Sequence, residues 1–311
     1  MADRRGAVAA VDLGTHSTRL LVVDAEGATV ERLMTITRMG EGVDASGRLS
    51  GAAIGRTVEC LRRYRAVMDA CGVVAARAAA TSAARDAANG DELLDAAEAI
   101  LGVRPQVLGG VEEGRLAFAG ATSGRPDSDG PFVVVDIGGG STELSVGRRG
   151  REPAVVSVDL GCVRITERHL GDDPPTAEQL HRAADAAREV LGAAAEATGA
   201  ASARTMIGLA GTVSAAAMLD LGTRVYDRSL VHGHRLGRAS VERHLAALAA
   251  VAAADRVAMG VESERRDVIV GGMILLVAAL DVTGRPECVV SEADILDGLA
   301  ATVRGGAGLS P

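Results

Sequence analysis

The 311-residue sequence contains no lysine and no tryptophan, and aromatic residues make up only 1% of it. Its basic side chains other than histidine are therefore all arginine, which excludes a Walker A lysine, a lysine Schiff base and a lysine general base. Arginine still allows planar, bidentate contacts to phosphate groups. Tyr64, Phe118, Phe132 and Tyr226 are the only rings that could stack on a nucleobase. We expect a core of small aliphatic side chains.

Other features of the composition restrict the partners and the compartment. The net charge of −8 argues against a broad nucleic-acid surface. The four cysteines have no metal-like spacing, which favours buried free thiols in a reducing compartment. The N-terminus shows no signal-peptide pattern, and the apolar run Val268–Val282 is too short to span a bilayer. We therefore predict a cytoplasmic protein without nucleic-acid or membrane partners, and we expect a homodimer.

One motif occurs twice in the chain. Residues 11–23 read VDLGTHSTRLLVV, and residues 135–147 read VDIGGGSTELSVG. The two segments share seven identities in thirteen positions at a constant offset of 124 residues. In each of them an apolar strand ends in an aspartate, a glycine turn follows, and a second strand begins. This internal similarity predicts two related domains, each opened by a strand hairpin.

The chemistry of the repeated turn suits phosphate and a metal ion. Three consecutive glycines, Gly138, Gly139 and Gly140, remove Cβ atoms, so that backbone N–H groups can approach an anion closely. Asp136 precedes them and could hold a divalent cation beside that anion. The alternative is a pair of ordinary glycine hairpins, since glycine-rich turns are common. An ordinary hairpin does not require Asp with Ser-Thr, so we favour the phosphate interpretation.

Further candidate residues lie outside the glycine turns. Glu113 follows two glycines near the start of a predicted helix, where it could activate water or merely stabilise the helix dipole. Arg19 and Glu143 occupy equivalent positions in the two hairpins and could contact phosphate and metal, or could be an ordinary surface pair. Gly211-Thr212 opens a helix, which is a potential anion site. Four arginines that follow turns or open helices could together contact a polyanion: Arg85, Arg164, Arg265 and Arg266.

The pattern of strands and helices supports two α/β domains of one duplicated type. The segment Thr122–Gly130, rich in Gly, Pro, Ser and Asp, is the clearest linker between them. We predict an irregular segment over Tyr226–Leu236 and an apolar helix over Glu264–Leu280. The VHGH sequence at 231–234 has no third ligand nearby, so we interpret it as a structural loop rather than a metal site.

Taken together, the motifs resemble one family. The segments AAVDLGTHSTRLLV, TSAAR, GGVEEGRLAFAG, VVVDIGGGSTELSVG, LGCVRITE, GLAGTVS, VHGHRL, RRDVIVGG and SEADILDG are similar, in order and spacing, to the exopolyphosphatase / guanosine pentaphosphate phosphohydrolase family. This family lies within the actin-like ATPase and sugar kinase superfamily. The resemblance covers nearly the whole chain and is to the short, two-domain form.

The resemblance implies a fold and a set of roles. We expect two duplicated actin-like, ribonuclease H-like α/β domains over 1–124 and 125–311, with a cleft between them and a helix at 295–304 that packs back on the first domain. Glu113 would be the catalytic base, and Glu143 would be a second catalytic residue that helps to handle the attacking water. Asp12, Asp136 and Glu143 would bind Mg²⁺ or Mn²⁺. The resemblance implies that the following residues bind substrate phosphate: Gly14, Thr15, Ser17, Arg19, Arg85, Gly138, Gly139, Gly140, Ser141, Thr142, Gly211 and Thr212.

Two segments depart from the usual pattern of this family. Thr15-His16-Ser17 stands where members usually carry a Ser-Asn-Ser-like turn, and Leu296-Asp297-Gly298 stands where many carry arginine and glutamate before glycine. The expected activity is release of terminal phosphate from inorganic polyphosphate, particularly short chains. The alternatives are hydrolysis of guanosine pentaphosphate, an ATP-dependent kinase, and a sensor that binds polyphosphate or nucleotide without turnover.

Overall fold

The computed structural model describes residues 6–306; residues 1–5 and 307–311, at the outer ends of the two predicted domains, lie outside the described residues. The contacts divide the chain into two compact units. Unit 1 contains the residues up to Gly120 together with those from Ile295 onward, and unit 2 contains Ala121–Asp294. The chain therefore leaves unit 1 and returns to it for its last helix.

Within residues 6–306 the strands form one sheet in each unit. They are β1 Val8–Leu13, β2 Ser17–Val23, β3 Thr29–Ile36, β4 Ala75–Ala80, β5 Gln106–Val107, β6 Phe132–Ile137, β7 Thr142–Gly147, β8 Ala154–Val158, β9 Thr205–Leu209, β10 Arg235–Gly237 and β11 Glu287–Val290. The α-helices are α1 Val43–Ser46, α2 Gly51–Ala70, α3 Ser82–Asp86, α4 Gly90–Leu101, α5 Gly110–Thr122, α6 Cys162–His169, α7 Ala177–Thr198, α8 Ala210–Leu221, α9 Arg228–Val231, α10 Arg238–Ala249, α11 Ala253–Arg256, α12 Ile269–Thr283 and α13 Ile295–Gly306.

The sheet of unit 1 has the order β3-β2-β1-β4-β5. The pairs β1–β2 and β2–β3 are antiparallel, whereas β1–β4 and β4–β5 are parallel. Every residue of β1 is buried. Strands pair with β1 on both sides, and α13 packs against β1, β2 and β4. This full burial explains why β1 is apolar throughout except for Asp12.

The core of unit 1 is aliphatic, as the composition predicts. Leu20, Leu61 and Met68 are fully or almost fully buried in one cluster with Tyr64. The Tyr64 hydroxyl donates to the backbone carbonyl of Thr18 at 2.9 Å, and burial raises the pKa of this phenol well above its usual range. Burying a tyrosine costs little free energy when its hydroxyl is hydrogen-bonded, and its ring fills a large volume of the core.

The sheet of unit 2 has the order β10-β11-β9-β6-β7-β8. Its central helix, α12, is buried from Ile269 through Leu280, and a helix that is apolar on all sides belongs in such an interior position. Two glycines of α12 permit close packing there. A Cβ on Gly271 would lie 2.4 Å from Oγ1 of Thr166 on α6, and one on Gly272 would lie 2.3 Å from Oγ1 of Thr212 on α8. The glycine pair thus lets the beginnings of α6 and α8 pack on one helix.

The two sheets repeat the same arrangement. The order β8-β7-β6-β9-β11 in unit 2 corresponds to β3-β2-β1-β4-β5 in unit 1, with the same parallel and antiparallel pairings. Unit 2 adds β10, which pairs antiparallel with β11 at the edge. The prediction of two duplicated α/β domains of the ribonuclease H-like type is therefore confirmed.

Two local predictions were wrong. The segment Tyr226–Leu236, predicted to be irregular, contains α9 and the start of β10. This three-residue strand depends on β11, which follows about 50 residues later and supplies no local sequence signal. The helix predicted over Glu264–Leu280 begins only at Ile269, because the backbone at Arg265 forms turns with Glu262 and Val268.

None of the helices within residues 6–306 combines the length and the apolarity needed to cross a membrane.

Candidate active site

The repeated motif forms equivalent hairpins in the two units. In unit 1 the strands β1 and β2 place Asp12 directly opposite Arg19. In unit 2 the strands β6 and β7 place Asp136 directly opposite Glu143. The same backbone position therefore carries an opposite-charge pair in one unit and two acidic residues in the other.

In unit 1, Asp12 and Arg19 form an ion pair. Nε and Nη2 of Arg19 both donate to Oδ2 of Asp12, at 2.9 and 2.7 Å. The Asp12 side chain is only 2% exposed, so its charge requires such a partner. A cation that bound Asp12 through this oxygen would have to compete with the guanidinium.

The turn between β1 and β2 is held by backbone contacts. The N–H of Gly14 donates to the carbonyl of Ser17 at 3.0 Å, and a Cβ on Gly14 would lie 2.9 Å from that same oxygen. The Thr15 hydroxyl lies 2.8 Å from the hydroxyl of Ser82 at the start of α3. The carbonyl of His16 accepts the N–H groups of Thr37 and of its neighbour in the following loop. Thr15 and His16, both buried, therefore help to fix the turn.

Arg85 and Glu113, the other candidates of unit 1, lie next to one loop. Nη1 of Arg85 donates to the carbonyl of Leu108 at 3.2 Å, and its Nε lies 3.4 Å from a carboxylate oxygen of Asp86. Leu108 immediately precedes the glycines that lead into α5. Glu113 is half-buried in the first turn of α5, and its N–H donates to the carbonyl of Gly109 at 3.0 Å. Arg85 thus supports the loop that leads to Glu113.

In unit 2, the glycine turn after β6 rests on the start of α6. The carbonyls of Gly138 and Gly139 accept the N–H groups of Cys162 and Val163, each at 2.9 Å. In a trans peptide the N–H points opposite to the C=O, so the N–H groups of Gly139 and Gly140 are directed away from α6. The anion-binding role that the sequence predicts for this turn requires N–H groups that point away from the rest of the protein in this way.

The polar side chains of this turn have different environments. The Thr142 hydroxyl donates to the carbonyl of Leu160 at 2.7 Å and is fully buried, so it fixes the turn and keeps only its acceptor lone pairs available. Ser141 is also buried, and its carbonyl accepts the N–H of Gly138 at 3.0 Å. A backbone hydrogen bond between Gly138 and Ser141 therefore closes the glycine turn.

Close contact between this turn and α6 depends on Gly161. A Cβ there would lie 2.4 Å from the carbonyl carbon and oxygen of Gly139. We expect Gly161→Ala to lower the free energy of unfolding by about 1–3 kcal/mol, as overpacking of a tight contact does. Gly55→Ala in α2, where no atom of residues 6–306 would lie within 4 Å of the added Cβ, should instead raise the free energy of unfolding by roughly 0.5–1 kcal/mol. Urea unfolding of both variants is the measurement, and equal stabilities would contradict the contact.

Asp136 and Glu143 bring two acidic side chains together at the end of this hairpin. They are 7% and 1% exposed, and Oε1 of Glu143 accepts a hydrogen bond from the Ser157 hydroxyl at 2.7 Å. Like charges directly opposite each other in a sheet are unfavourable, and a cation between them would relieve the repulsion. Mg²⁺ commonly takes one or two carboxylates and completes its shell with water and phosphate oxygens. This pair fits that requirement, although residues 6–306 contain no cluster of three or more His, Cys, Asp or Glu side chains suited to a metal.

The start of α8 adds a further element of unit 2. Ala210 has a positive φ of 70°, and Gly211 and Thr212 follow it in the first turn. The guanidinium of Arg265 packs on Gly211 so closely that a Cβ there would lie 2.0 Å from Nη1. Nε of Arg265 donates to Glu262 at 2.6 Å. A buried positive charge therefore lies at the N-terminus of α8, where an anion is already favoured.

The sequence did not single out Arg265 from the other three arginines that follow turns or open helices. Arg164, on α6, is also largely buried and lies 3.2 Å from a carboxylate oxygen of Asp159. Arg266 is more exposed and faces its neighbour Asp267 at 3.5 Å. The contact of Arg265 with Gly211 joins residues far apart in the chain, so no local pattern could have found it.

The cysteines are buried, and the histidines of the VHGH segment form polar contacts with other residues. All four cysteines are free and buried. Burial raises the pKa of the Cys162 thiol to about 11, against the positive charge of Arg265 and a hydrogen bond with Thr212, so the thiol is protonated at neutral pH. Nδ1 of His232 accepts the N–H of Glu292, and Nε2 of His234 lies 2.7 Å from Asp220.

The chain is similar to known proteins over nearly its whole length. A model of the Ppx/GppA phosphatase family matches residues 17–299. Exopolyphosphatase 2 of Mycobacterium tuberculosis is 36% identical over 315 aligned residues, which cover 96% of this chain and 98% of that protein. The crystal structure of an exopolyphosphatase-like protein is 35% identical with a TM-score of 0.90, and covers 98% of this chain and 100% of its own.

A second solved structure, the Aquifex aeolicus member of the same family, is 29% identical with a TM-score of 0.80; the match covers 97% of this chain and 98% of the other. The family match extends over more than nine-tenths of the described residues and includes Asp136 and Glu143, whereas Asp12 lies before its first residue. The chain belongs to the Ppx/GppA phosphatase family.

Proposed function

We propose that this protein is a metal-dependent exopolyphosphatase, which releases terminal orthophosphate from inorganic polyphosphate by direct attack of water. Membership of the family and the similarity to a protein named exopolyphosphatase support the reaction. The observation that carries the proposal is the buried pair Asp136 and Glu143 beside a glycine turn with N–H groups directed away from α6. Phosphoryl transfer requires mainly such positioning and neutralisation of charge.

The metal would be Mg²⁺, or Mn²⁺ in its place. Asp136 and Glu143 would hold it, and it would supply charge neutralisation at the transferred phosphoryl group. Asp12 is also a proposed ligand, but its Oδ2 already accepts two hydrogen bonds from Arg19. We therefore assign the larger share of metal binding to the pair in unit 2.

The remaining candidates have distinct proposed roles. The N–H groups of the glycine turn at 138–140, with Ser141, would bind phosphate oxygens in unit 2, and so would Gly211 and Thr212. Thr142, whose hydroxyl already donates to Leu160, would act in phosphate binding by fixing the turn. Gly14, Thr15, Ser17, Arg19 and Arg85 are the proposed phosphate-binding residues of unit 1. Glu113 is the proposed acceptor of a proton from water, and Glu143 is the second proposed catalytic residue in addition to its role as a metal ligand.

Guanosine pentaphosphate is the second candidate substrate, and it differs from inorganic polyphosphate because it carries a guanine base. Phe118, Phe132 and Tyr64 are buried, so Tyr226, which is 46% exposed, is the one aromatic residue with substantial ring surface available. Its hydroxyl donates to Glu292 at 2.6 Å. We expect kcat/KM for polyphosphate to exceed that for guanosine pentaphosphate, because little stacking surface exists for guanine.

The test is phosphate release from polyphosphates of several lengths and from guanosine pentaphosphate, with Mg²⁺, Mn²⁺ or EDTA. Tyr226→Ala should leave the polyphosphate reaction unchanged and lower only guanosine pentaphosphate hydrolysis, while Tyr226→Phe retains the ring as a control. Turnover that survives EDTA, or a preference for guanosine pentaphosphate, would contradict the proposal. Production of ADP from ATP with a small acceptor would indicate a kinase, and tight binding without release would indicate a sensor.

We further propose a cytoplasmic homodimer. Four buried free thiols are typical of a reducing compartment, which supports the location. Light scattering coupled to size-exclusion chromatography would measure the molar mass in solution, for comparison with 31.5 kDa for one chain. A molar mass that matches one chain at all concentrations would contradict the dimer.

A further inference from the structure

The last helix of unit 1, α13, contacts the backbone of the helix that carries Glu113. Gly298 has no side chain, and a Cβ placed there would lie 2.3 Å from the carbonyl oxygen of Leu116 and 2.9 Å from its carbonyl carbon. Leu116 follows Glu113 by three residues in α5, so the two residues lie on neighbouring positions of one helix face. The backbone of α13 therefore supports α5 one turn after Glu113.

Arg77 provides a second link between the same two helices. Its Nη2 donates to Oε1 of Glu112 in the first turn of α5 at 3.0 Å, and its Nη1 donates to the Thr302 hydroxyl of α13 at 3.0 Å. The same Nη2 also donates to Gln106 of β5 at 2.7 Å. One guanidinium in β4 thus links the start of α5, the start of β5 and α13.

A third contact fixes α13 itself. Asp297 pairs with Arg32 of β3, and both side chains are mostly buried. Asp297 belongs to the segment in which this sequence departs from the usual family pattern. The neighbours Leu296 and Leu299 are at most 1% exposed. An ion pair and a buried apolar face therefore hold Gly298 at a defined position, and α13 can act as a rigid support.

We infer that α13 positions Glu113: Gly298 sets the distance between α13 and α5, and Arg77 sets the position of the first turn of α5. Both are positioning residues, because they act through Glu113 and not on the substrate. The inference rests on the proposed function, in which Glu113 accepts a proton from water. A general base must lie within hydrogen-bond reach of the proton that it removes, so a small movement of α5 changes the rate of the chemical step.

Gly298→Ala tests the contact. A Cβ at 2.3 Å from the Leu116 oxygen must move by at least 0.7 Å to reach the 3.0 Å below which real Cβ contacts essentially do not occur (3.0 minus 2.3). A displacement near 1 Å can cost up to about 10²-fold in rate, so we expect kcat for polyphosphate to fall by roughly 10- to 100-fold with KM within about twofold. Gly305→Ala is the matched control in the same helix, where none of the described residues would lie within 4 Å of a Cβ, and it should leave both constants unchanged.

A double variant separates positioning from general loss of structure. In the Glu113→Gln background, Gly298→Ala should change the residual rate by less than about twofold, since residues that act as a unit are not additive. An equal loss in both backgrounds would overturn the positioning inference and leave the proposed function intact. Full activity of Glu113→Gln alone would overturn the role of Glu113, and with it this inference.

A milder variant keeps the test decisive if Gly298→Ala does not fold. Glu112→Gln weakens the Arg77 bridge at a side chain that is 42% exposed, so circular dichroism and the melting temperature should stay close to those of the wild type. We expect kcat to fall severalfold with KM unchanged, and again no further loss in the Glu113→Gln background. Unchanged kcat for Glu112→Gln would contradict the role of Arg77.

Discussion

Replacing Glu113 with glutamine is expected to lower kcat for phosphate release from polyphosphate by about 10²- to 10⁴-fold, which is the contribution of a positioned general base. KM should change little, because glutamine has nearly the same shape and the proton moves only as the transition state forms. Glu113 lies half-buried in the first turn of α5, and its backbone N–H is held by Gly109. The substitution removes the acceptor for the proton without enlarging or emptying the site.

The measurement is steady-state phosphate release with Mg²⁺ at saturating and limiting polyphosphate. Glu59→Gln in α2 is a suitable control, since Glu59 is 64% exposed and pairs with Arg62 one turn away on the surface. It should behave as wild type. If Glu113→Gln retains kcat within a few-fold of the wild type, water is activated by another group, and the proposed base is wrong.

Replacing Glu143 with glutamine should affect activity and stability in opposite directions. We expect kcat to fall by about 10²- to 10³-fold, because the loss of one of two carboxylates removes several kcal/mol of metal-dependent stabilisation. In the absence of metal, the same change removes one of two like charges that face each other across β6 and β7. The free energy of unfolding without metal should therefore rise by roughly 0.2–1 kcal/mol.

Thermal unfolding with and without divalent cation measures how Glu143→Gln changes stability and metal binding, independently of turnover. Mg²⁺ or Mn²⁺ should raise the melting temperature of the wild type, since a ligand that binds only the native state stabilises it, and the shift should shrink in Glu143→Gln. Asp136→Asn should behave in the same way. If the metal-dependent shift is unchanged in both variants, the cation binds elsewhere.

The hairpin of unit 1 provides an internal control for this argument. Asp12 occupies the position of Asp136 but pairs with Arg19. Asp12→Asn should therefore lower the free energy of unfolding without metal, by about 3 kcal/mol, because it leaves a mostly buried guanidinium without its carboxylate. Opposite signs for Asp12→Asn and Asp136→Asn would support the distinction between an ion pair and a cation site. Equal signs would contradict it.

Much of the fold follows from local patterns. The repeated motif predicts two hairpins of one type, and the matching strand orders of the two sheets confirm the duplication. Helix caps are equally local: Ser50 accepts the N–H of Ala53 at the start of α2, and Thr176 forms a capping box with Gln179 at the start of α7. These signals are local, because a cap and its partner lie within one turn.

The features missed at β10, Gly161 and Gly298 share a physical cause, which is a contact with a segment elsewhere in the sequence. The strand β10 was missed because its partner β11 lies about 50 residues later, and a three-residue edge strand has no periodicity of its own. The sequence did not predict the close contacts of Gly161 and Gly298 either. Each is a glycine because the backbone of another segment occupies the space of a Cβ, and that segment is distant or unpredictable in the sequence.

The sequence by itself determined the chemistry of the candidate residues: carboxylates at Asp136 and Glu143, glycines in the turn that joins them, and arginine as the only permanently charged cation. Tertiary structure alone decided which charges meet. It pairs Asp12 with Arg19, opposes Asp136 to Glu143, and packs Arg265 on Gly211. Residue types are local properties of the chain, whereas the free energy of a buried charge depends on neighbours that only folding brings within a few ångströms.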